Sequence, residues 1–465
     1  MALLGSPWVR GVTEGPRGAS CRVVSLQGSL VFLVSGLAVL GYAAALSAQP
    51  TYQGVVRAVC GAAAGKLCEV CFLFNLFMIS VALLRVVGDQ LEKLCDSLYP
   101  NGTLSGAPPP PPWYADQRFT LSALCILVIF PLSVPREIGF QKYSSILGTL
   151  AACYLTLVIV LKYHLQAESL GLPELPQPSR ASSWASVFSV IPTICFGFQC
   201  HEACVAIYSS MRNQSFCHWV TVSVLSMLIC LLIYSLTGLY GYLTFGEAVT
   251  SDVLMSYPGN DPVVIVARLL FGVSIVTIYP IVVLLGRSVV RDMWVTPKRG
   301  ATAVSEVHER RSRVALTVAW MAATLAIALF VPDIGKVIEL IGGISAFFIF
   351  IFPGLCLVCM TGTCTLGPRK NGHRGQARGA AGVFGHPPGV MQRIMAKEAE
   401  TLQTSPHLGV RAPGGGMLLG VGSVPLVPCS CPLRAALISW GVLSVLGGAF
   451  VCGQSAALAV LGLLR

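Results

Sequence analysis

Residues 184–208 read WASVFSVIPTICFGFQCHEACVAIY. About 20 apolar residues cross a bilayer as a helix, and this run is long enough. Its middle is nevertheless a poor helix. Pro192 and Gly197 weaken it, and Gln199, His201 and Glu202 fall near mid-membrane depth. Polar and ionisable groups in hydrocarbon are costly and usually face a cavity or a pathway. Non-helical backbone is tolerated at that depth only where it lines such a cavity. A broken spanning helix with polar groups at the break points to a solute-binding site. The plainer alternative is a Pro-kinked helix in which His201 and Glu202 pair for packing.

The rest of the chain fits a membrane setting. Of 465 residues, 54% are hydrophobic and 11% charged, and the mean hydropathy is +0.74. A soluble protein carries about 25% charged residues. Ten apolar spans are predicted, at 25–47, 67–87, 119–134, 145–165, 184–208, 219–245, 263–285, 314–330, 337–360 and 435–464. The segments are far longer than barrel strands, so the fold class is an all-α polytopic membrane protein. The domain reading is an N-terminal segment 1–24, a transmembrane core 25–360, a cytoplasmic insertion 361–434 and a final helix 435–465.

Lys and Arg locate the cytoplasmic side. The connectors after spans one, three, five, seven and nine hold 20 Lys/Arg, and those after spans two, four, six and eight hold 4 together with ten Asp/Glu. The first set is therefore cytoplasmic, and the net charge of +11 is a topology signal rather than a nucleic-acid footprint. One conflict follows: residues 1–24 would lie outside although they carry Arg10, Arg17 and Arg22. One more span ahead of Leu26 would remove it, which makes ten visible helices of an expected eleven. A signal sequence ending near Ala45 to Ala48 is the weaker alternative, because the apolar run is too long.

Asn101-Gly102-Thr103 is a glycosylation acceptor in an outer loop, followed by the stiff run Pro108 to Pro112. Asn213-Gln214-Ser215 falls on the cytoplasmic side and is expected to stay unmodified. Segment 361–434 is rich in Gly, Pro and Arg and is read as a solvated, disordered linker.

No catalytic constellation is present, so the chain is not read as an enzyme. Gly61 to Lys66 resembles a P-loop but is one residue short, with Leu67 in place of the required hydroxyl residue. The 18 cysteines are scattered, and no metal cofactor is expected. At the break, the second half-helix would start with free N–H groups and partial positive charge, suited to a carboxylate. Gly197 lets a ligand approach the backbone, and Phe196 and Phe198 offer an apolar wall. His201 is a candidate site residue, whereas Glu202 is read as structural, paired with His201. Asn75 in span two either faces the cavity or bonds a neighbouring helix. Ser274 and Thr277 in span seven are three residues apart and share a helix face. Their hydroxyls suit a hard cation, or else bond back to carbonyls one turn earlier. Arg85 and Arg268 are expected to snorkel to the outer surface.

FGFQCHEACVAIYSSMR, the SIVTIYP of span seven and the GGISAFFIFIFPG of span nine resemble the sodium-coupled neutral amino acid transporters of the amino acid/auxin permease superfamily. VGDQLEKLCDSLYP, PREIGFQKYSSILGTLAACY and SDVLMSYPGND are similar to one branch of it. The similarity runs from about Leu26 to Gly367 and again from Trp440. It implies an eleven-span, inverted-repeat (LeuT-type) sodium symporter fold in which the broken span is the sixth. It further implies sodium-driven symport of glutamine, alanine and related amino acids, some charged ones included. Substrate contacts would fall on Phe196, Gly197, Phe198 and Gln199, with sodium on Ser274 or Thr277. Sodium is then the coupling ion, and the partners are the amino acid, sodium and the lipid bilayer, with no nucleic acid. By analogy the plasma membrane is favoured over the lysosome. Two departures stand out: the family's glycine-rich first span has no counterpart, and the connector from Thr365 to Leu433 is long. The rival readings are an amino acid sensor without transport and a transport-deficient isoform.

Overall fold

The computed structural model describes residues 15–98, 116–135, 141–170, 190–212, 214–250, 252–294, 306–331, 334–363 and 431–464. The described helices belong to one unit, Met1–Gly362 with Ser430–Arg465. Asn101, Asn213, Pro108 to Pro112, residues 184–189 and most of segment 361–434 lie outside the described residues.

In chain order the helices are α1 (Gly15–Ser47), α2 (Tyr52–Cys60), α3 (Ala62–Leu98), α4 (Gln117–Ser133), α5 (Gln141–Leu170), α6 (Ile191–Gly197) and α7 (His201–Ser210). Then come α8 (Phe216–Phe245), α9 (Pro262–Trp294), α10 (Glu306–Phe330), α11 (Ile334–Ala346), α12 (Phe352–Thr363) and α13 (Cys431–Leu464). Among the described residues eight helical spans are long and apolar enough to cross a bilayer, α11 and α12 being two parts of one. Two of the ten expected spans fall short. The third is a shorter apolar helix, Gln117–Ser133. The fifth is not one helix but the pair α6 and α7. Large apolar side chains such as Leu127, Leu161, Leu232 and Leu446 are exposed on the outside of the bundle, as lipid contact requires.

Helix α3 is central and packs against α2, α4, α9, α10 and α11. Helix α8 lies against α1 and α5, while α11 lies against α6 and α13. Association of such helices depends on close packing and hydrogen bonds, because lipid offers no hydrophobic drive. Gly342 shows how tight the fit is: a Cβ there would sit 1.9 Å from the Pro192 carbonyl oxygen. That contact presses α11 directly onto the backbone of α6.

Helix α2 is a short amphipathic element. The Thr51 hydroxyl accepts the Gly54 N–H at 3.2 Å and opens it, and Gly61 closes it at φ 95°, a conformation that favours glycine. Tyr52, Val55 and Val56 face inward, and Arg57 pairs outward with Glu69. A π turn at Phe347–Ile351 joins α11 to α12. Its last bond runs from the Phe352 N–H to the Phe347 carbonyl. The next donor in that register would be residue 353, but Pro353 has no N–H. The Phe348 carbonyl is thereby released, and the Tyr52 hydroxyl donates to it at 3.0 Å.

The two arginines expected at the outer surface are held elsewhere. Arg268 is fully buried and donates to the carbonyls of Leu254 and Tyr257, each at 2.9 Å. It is the anchor of the 252–257 loop rather than a snorkelling residue. Arg85 bonds Asp89 at 3.0 Å, one turn along α3, and donates to Gln117 of α4 at 3.3 Å. In both cases protein acceptors hold the guanidinium: loop carbonyls for Arg268, and a carboxylate and an amide oxygen for Arg85.

Candidate substrate site at the helix break

Helix α6 begins with Pro192 at its first turn, where a missing N–H costs nothing. It ends at Gly197. The Phe198 N–H still reaches the Ile194 carbonyl at 3.0 Å, but the Gln199 N–H falls back to Phe196 at 3.3 Å. Cys200 then takes φ −127° and ψ −4°, and α7 starts afresh at His201. The chain is thus non-helical from Phe198 to Cys200, and the kinked continuous helix is excluded. The Gly197 carbonyl, left without a partner in its own helix, accepts the Tyr234 hydroxyl of α8 at 3.1 Å. Phe198 packs edge-on against the same tyrosine, with ring centroids 5.1 Å apart. Phe196 packs both against the main apolar core that holds Phe198 and against the small cluster of Ala82 of α3 with Val337 and Ile341 of α11.

Polar side chains from four elements meet in the gap. Gln199 Nε2 donates to Glu202 Oε1 at 2.8 Å, and Asn75 Nδ2 of α3 donates to the same oxygen. The Ser345 hydroxyl of α11 is 2.8 Å from Gln199 Oε1 and also 2.8 Å from its own-helix carbonyl at Ile341. Asn75 and Ser345 are completely buried. Glu202 is therefore partnered by two amides and not by His201 as its sequence position suggested. His201 turns the other way. It is fully buried, and its Nε2 donates to the Leu33 carbonyl of α1 at 2.9 Å. That acceptor fixes the proton on Nε2 and leaves Nδ1 as a buried acceptor without a partner among the described residues. One turn along α1, the Leu37 carbonyl takes the Trp219 indole N–H at 2.9 Å.

Of the residues singled out in the sequence, Asn75 and Gln199 come together, with Phe196, Gly197, Phe198 and His201 beside them. Ser274 and Thr277 belong to a different contact, between α9 and α5. Thr277 Oγ1 donates to the Ser274 carbonyl at 2.8 Å, which leaves the Ser144 hydroxyl, at 2.9 Å, as donor to it. Ser274 is buried near Gly148, whose missing Cβ would lie 3.1 Å from its hydroxyl. Sequence reasoning missed Ser345, Tyr234 and Ser144. Ser345 had a signal, since a hydroxyl in an apolar span, close to Gly342 and Gly343, needs a partner. Tyr234 had one too, since a phenol hydroxyl in an apolar span needs a partner.

A span broken between two half-helices, with an amide and carboxylate network in the gap, is the arrangement of a transporter site. Comparison with known proteins identifies the kind. The model of the family "transmembrane amino acid transporter protein" matches residues 29–368. The chain belongs to this family. Human solute carrier family 38 member 8 is 65% identical over 345 residues, covering 73% of this chain and 78% of that one. Its mouse counterpart is 51% identical over 440 residues, 94% of this chain and 85% of that one. Sodium-coupled neutral amino acid transporter 7 of zebrafish is 43% identical over 329 residues, 71% and 70%. As a member of the transmembrane amino acid transporter family, the chain is a multi-pass membrane protein of transport and not an enzyme.

Proposed function

We propose that the chain is a sodium-coupled symporter that carries neutral amino acids, glutamine and alanine among them, through a site at the α6–α7 break. The observation that carries this reading is the three-residue discontinuity at Phe198 to Cys200, crossed by side chains from α3 and α11. The zebrafish relative's name supports the sodium coupling. On this reading the fold is the inverted-repeat sodium symporter type, and the substrate is held by Gly197 to Gln199, His201 and Asn75, with Phe196 and Phe198 shaping the sides. The N-terminus of α7 offers backbone N–H groups and partial positive charge to the substrate carboxylate.

In the conformation described, the polar network closes on itself. The Gln199–Ser345 and Asn75–Glu202 bonds span the gap, so a substrate enters by exchanging the first for its own. These bonds tie the break and α7 to α11 and α3, which makes them natural points of opening and closure. Sodium would be held by the hydroxyl oxygens of Ser274 and Thr277 once Ser144 turns its proton away from Thr277 Oγ1; the bond Thr277 donates to the Ser274 carbonyl leaves that oxygen's lone pairs available. Coupling requires that each solute bind one state better than the other. Inward movement of one sodium ion contributes about 2.3 kcal/mol per 100 mV. The plasma membrane and a glycan on Asn101 complete the proposal.

The test is uptake of labelled glutamine into proteoliposomes holding the purified full chain. Uptake driven by an inward sodium gradient and abolished when choline replaces sodium supports symport. Glutamine binding with no flux under any gradient overturns it in favour of a sensor.

A further inference from the structure

We propose that Asn75 and Glu202 together seat the α-ammonium group of the amino acid. This rests on the transport reading above and assigns one end of the substrate to one pair of side chains. Asn75 is fully buried. Its Nδ2 donates to Glu202, while its Oδ1 is buried and accepts nothing among the described residues. A buried amide oxygen without a donor costs about 1–3 kcal/mol, so its persistence calls for a donor that arrives from outside. Glu202 shows the same lack in charge. Its partners, Asn75 and Gln199, are both neutral amides, and among the described residues it makes no ion pair with any Lys, Arg or His. A carboxylate at membrane depth normally has a counter-charge.

The two deficits lie on side chains that touch each other. A single group satisfies both: a cation that carries several N–H donors. The α-ammonium is such a group, with one N–H for Asn75 Oδ1 and another for the Glu202 carboxylate. A bare sodium ion fits less well, because a hard cation wants more oxygen ligands than this pair offers. The arrangement also resolves an apparent conflict, since a carboxylate in the first turn of α7 would repel an anionic ligand. A zwitterion places its ammonium toward Glu202 and its carboxylate toward the free N–H groups of the same helix end.

The experiment uses the full chain in lipid nanodiscs, with each ligand titrated separately by calorimetry. The ligands are glutamine, glutaramic acid (the same molecule without its amine) and 4-aminobutanamide (without its carboxylate). In the unsubstituted chain, glutaramic acid should bind about 10- to 100-fold more weakly than glutamine, the range for a lost charge-assisted hydrogen bond. In Glu202→Gln, glutamine should fall toward glutaramic acid while glutaramic acid holds its affinity, and 4-aminobutanamide should weaken with glutamine. Asn75→Ala should narrow the same ratio in part, and it decides the matter if Glu202→Gln is not monodisperse. An equal loss for all three ligands, or an unchanged glutamine-to-glutaramic ratio in both variants, overturns the assignment while leaving transport intact. Loss of sodium-22 binding in Glu202→Gln with that ratio preserved also overturns it and gives the seat to sodium. An unsubstituted chain that binds no amino acid refutes the transport reading itself.

Discussion

The Tyr234 hydroxyl donates to the Gly197 carbonyl at 3.1 Å, and in doing so caps a helix that ends inside the bundle. The same ring packs against Phe198. Tyr234→Phe removes the hydrogen bond and keeps the ring, leaving one carbonyl unpaired. Interhelical bonds of this kind are worth about 0.6 to 2 kcal/mol in membranes, which is about 3- to 30-fold in an equilibrium constant. Glutamine affinity in nanodiscs should drop within that range. A variant indistinguishable from the parent would mean that the cap does not shape the site.

Gly342 and Gly272 give a paired test of packing. A Cβ at residue 342 meets the Pro192 backbone, whereas one at residue 272 meets nothing within 4 Å. Gly342→Ala should cost about 1–3 kcal/mol, as overpacking typically does, and lower the melting temperature in detergent. Gly272→Ala should leave it unchanged. Equal melting curves for the two variants would contradict the close approach of α11 to α6.

Ser144, Ser274 and Thr277 separate a sodium ligand from a helix-packing hydroxyl. Thr277→Val and Ser144→Ala both break the α5–α9 contact at 2.9 Å. If Thr277 binds sodium, Thr277→Val raises the sodium concentration for half-maximal uptake about 10-fold or more, an energy of about 1.4 kcal/mol. Ser144→Ala should not, and Thr277→Ser should restore the parent value. Identical sodium titration in all three variants removes Thr277 from the sodium site.

Asp252 makes the 252–257 loop sensitive to pH. Burial pushes its carboxyl up from the usual range to about 6, opposed by the Leu254 N–H and assisted by nearby Asp89. Among the described residues, Asp89 of α3 and Arg268 of α9 are the charged groups that bear on it. The docked form thus binds a proton more tightly than the released form. Its extra stability is complete below the ordinary carboxylate pKa of about 4 and is lost as pH rises through about 6. Gln90 offers a reason, since its Nε2 reaches Asp252 Oδ2 at 2.5 Å while its buried Oε1 lacks a donor among the described residues. With the Gln90 amide turned over, so that Oε1 faces Asp252 Oδ2, a protonated Asp252 supplies one. Hydrogen exchange of residues 252–257, corrected for its intrinsic pH dependence, should therefore slow between pH 7 and pH 5. Asp252→Asn should flatten that response; a steep response persisting in the variant would assign it to another group.

The discontinuity was legible in the sequence because Pro192, Gly197 and the polar run from Gln199 are local signals. The partners were not. Asn75 and Ser345 lie far from Glu202 and Gln199 along the chain, and only helix packing brings them together. Arg268 shows the limit from the other side. Its place near a span end suggested escape to water, but the 252–257 loop turns back and presents carbonyls to it. Thr277 kept both of its readings open, since one hydroxyl on a helix face serves a carbonyl, a neighbouring helix or an ion equally well.

The bond from Tyr52 to the Phe348 carbonyl carries a mechanical implication. Pro353 has freed that oxygen from its own ladder, so α2 is fastened to the backbone of its neighbour rather than to a mobile side chain. Any tilting of the Phe347–Ile351 turn during a transport cycle must then drag α2 along, as a lever drags the arm pinned to it.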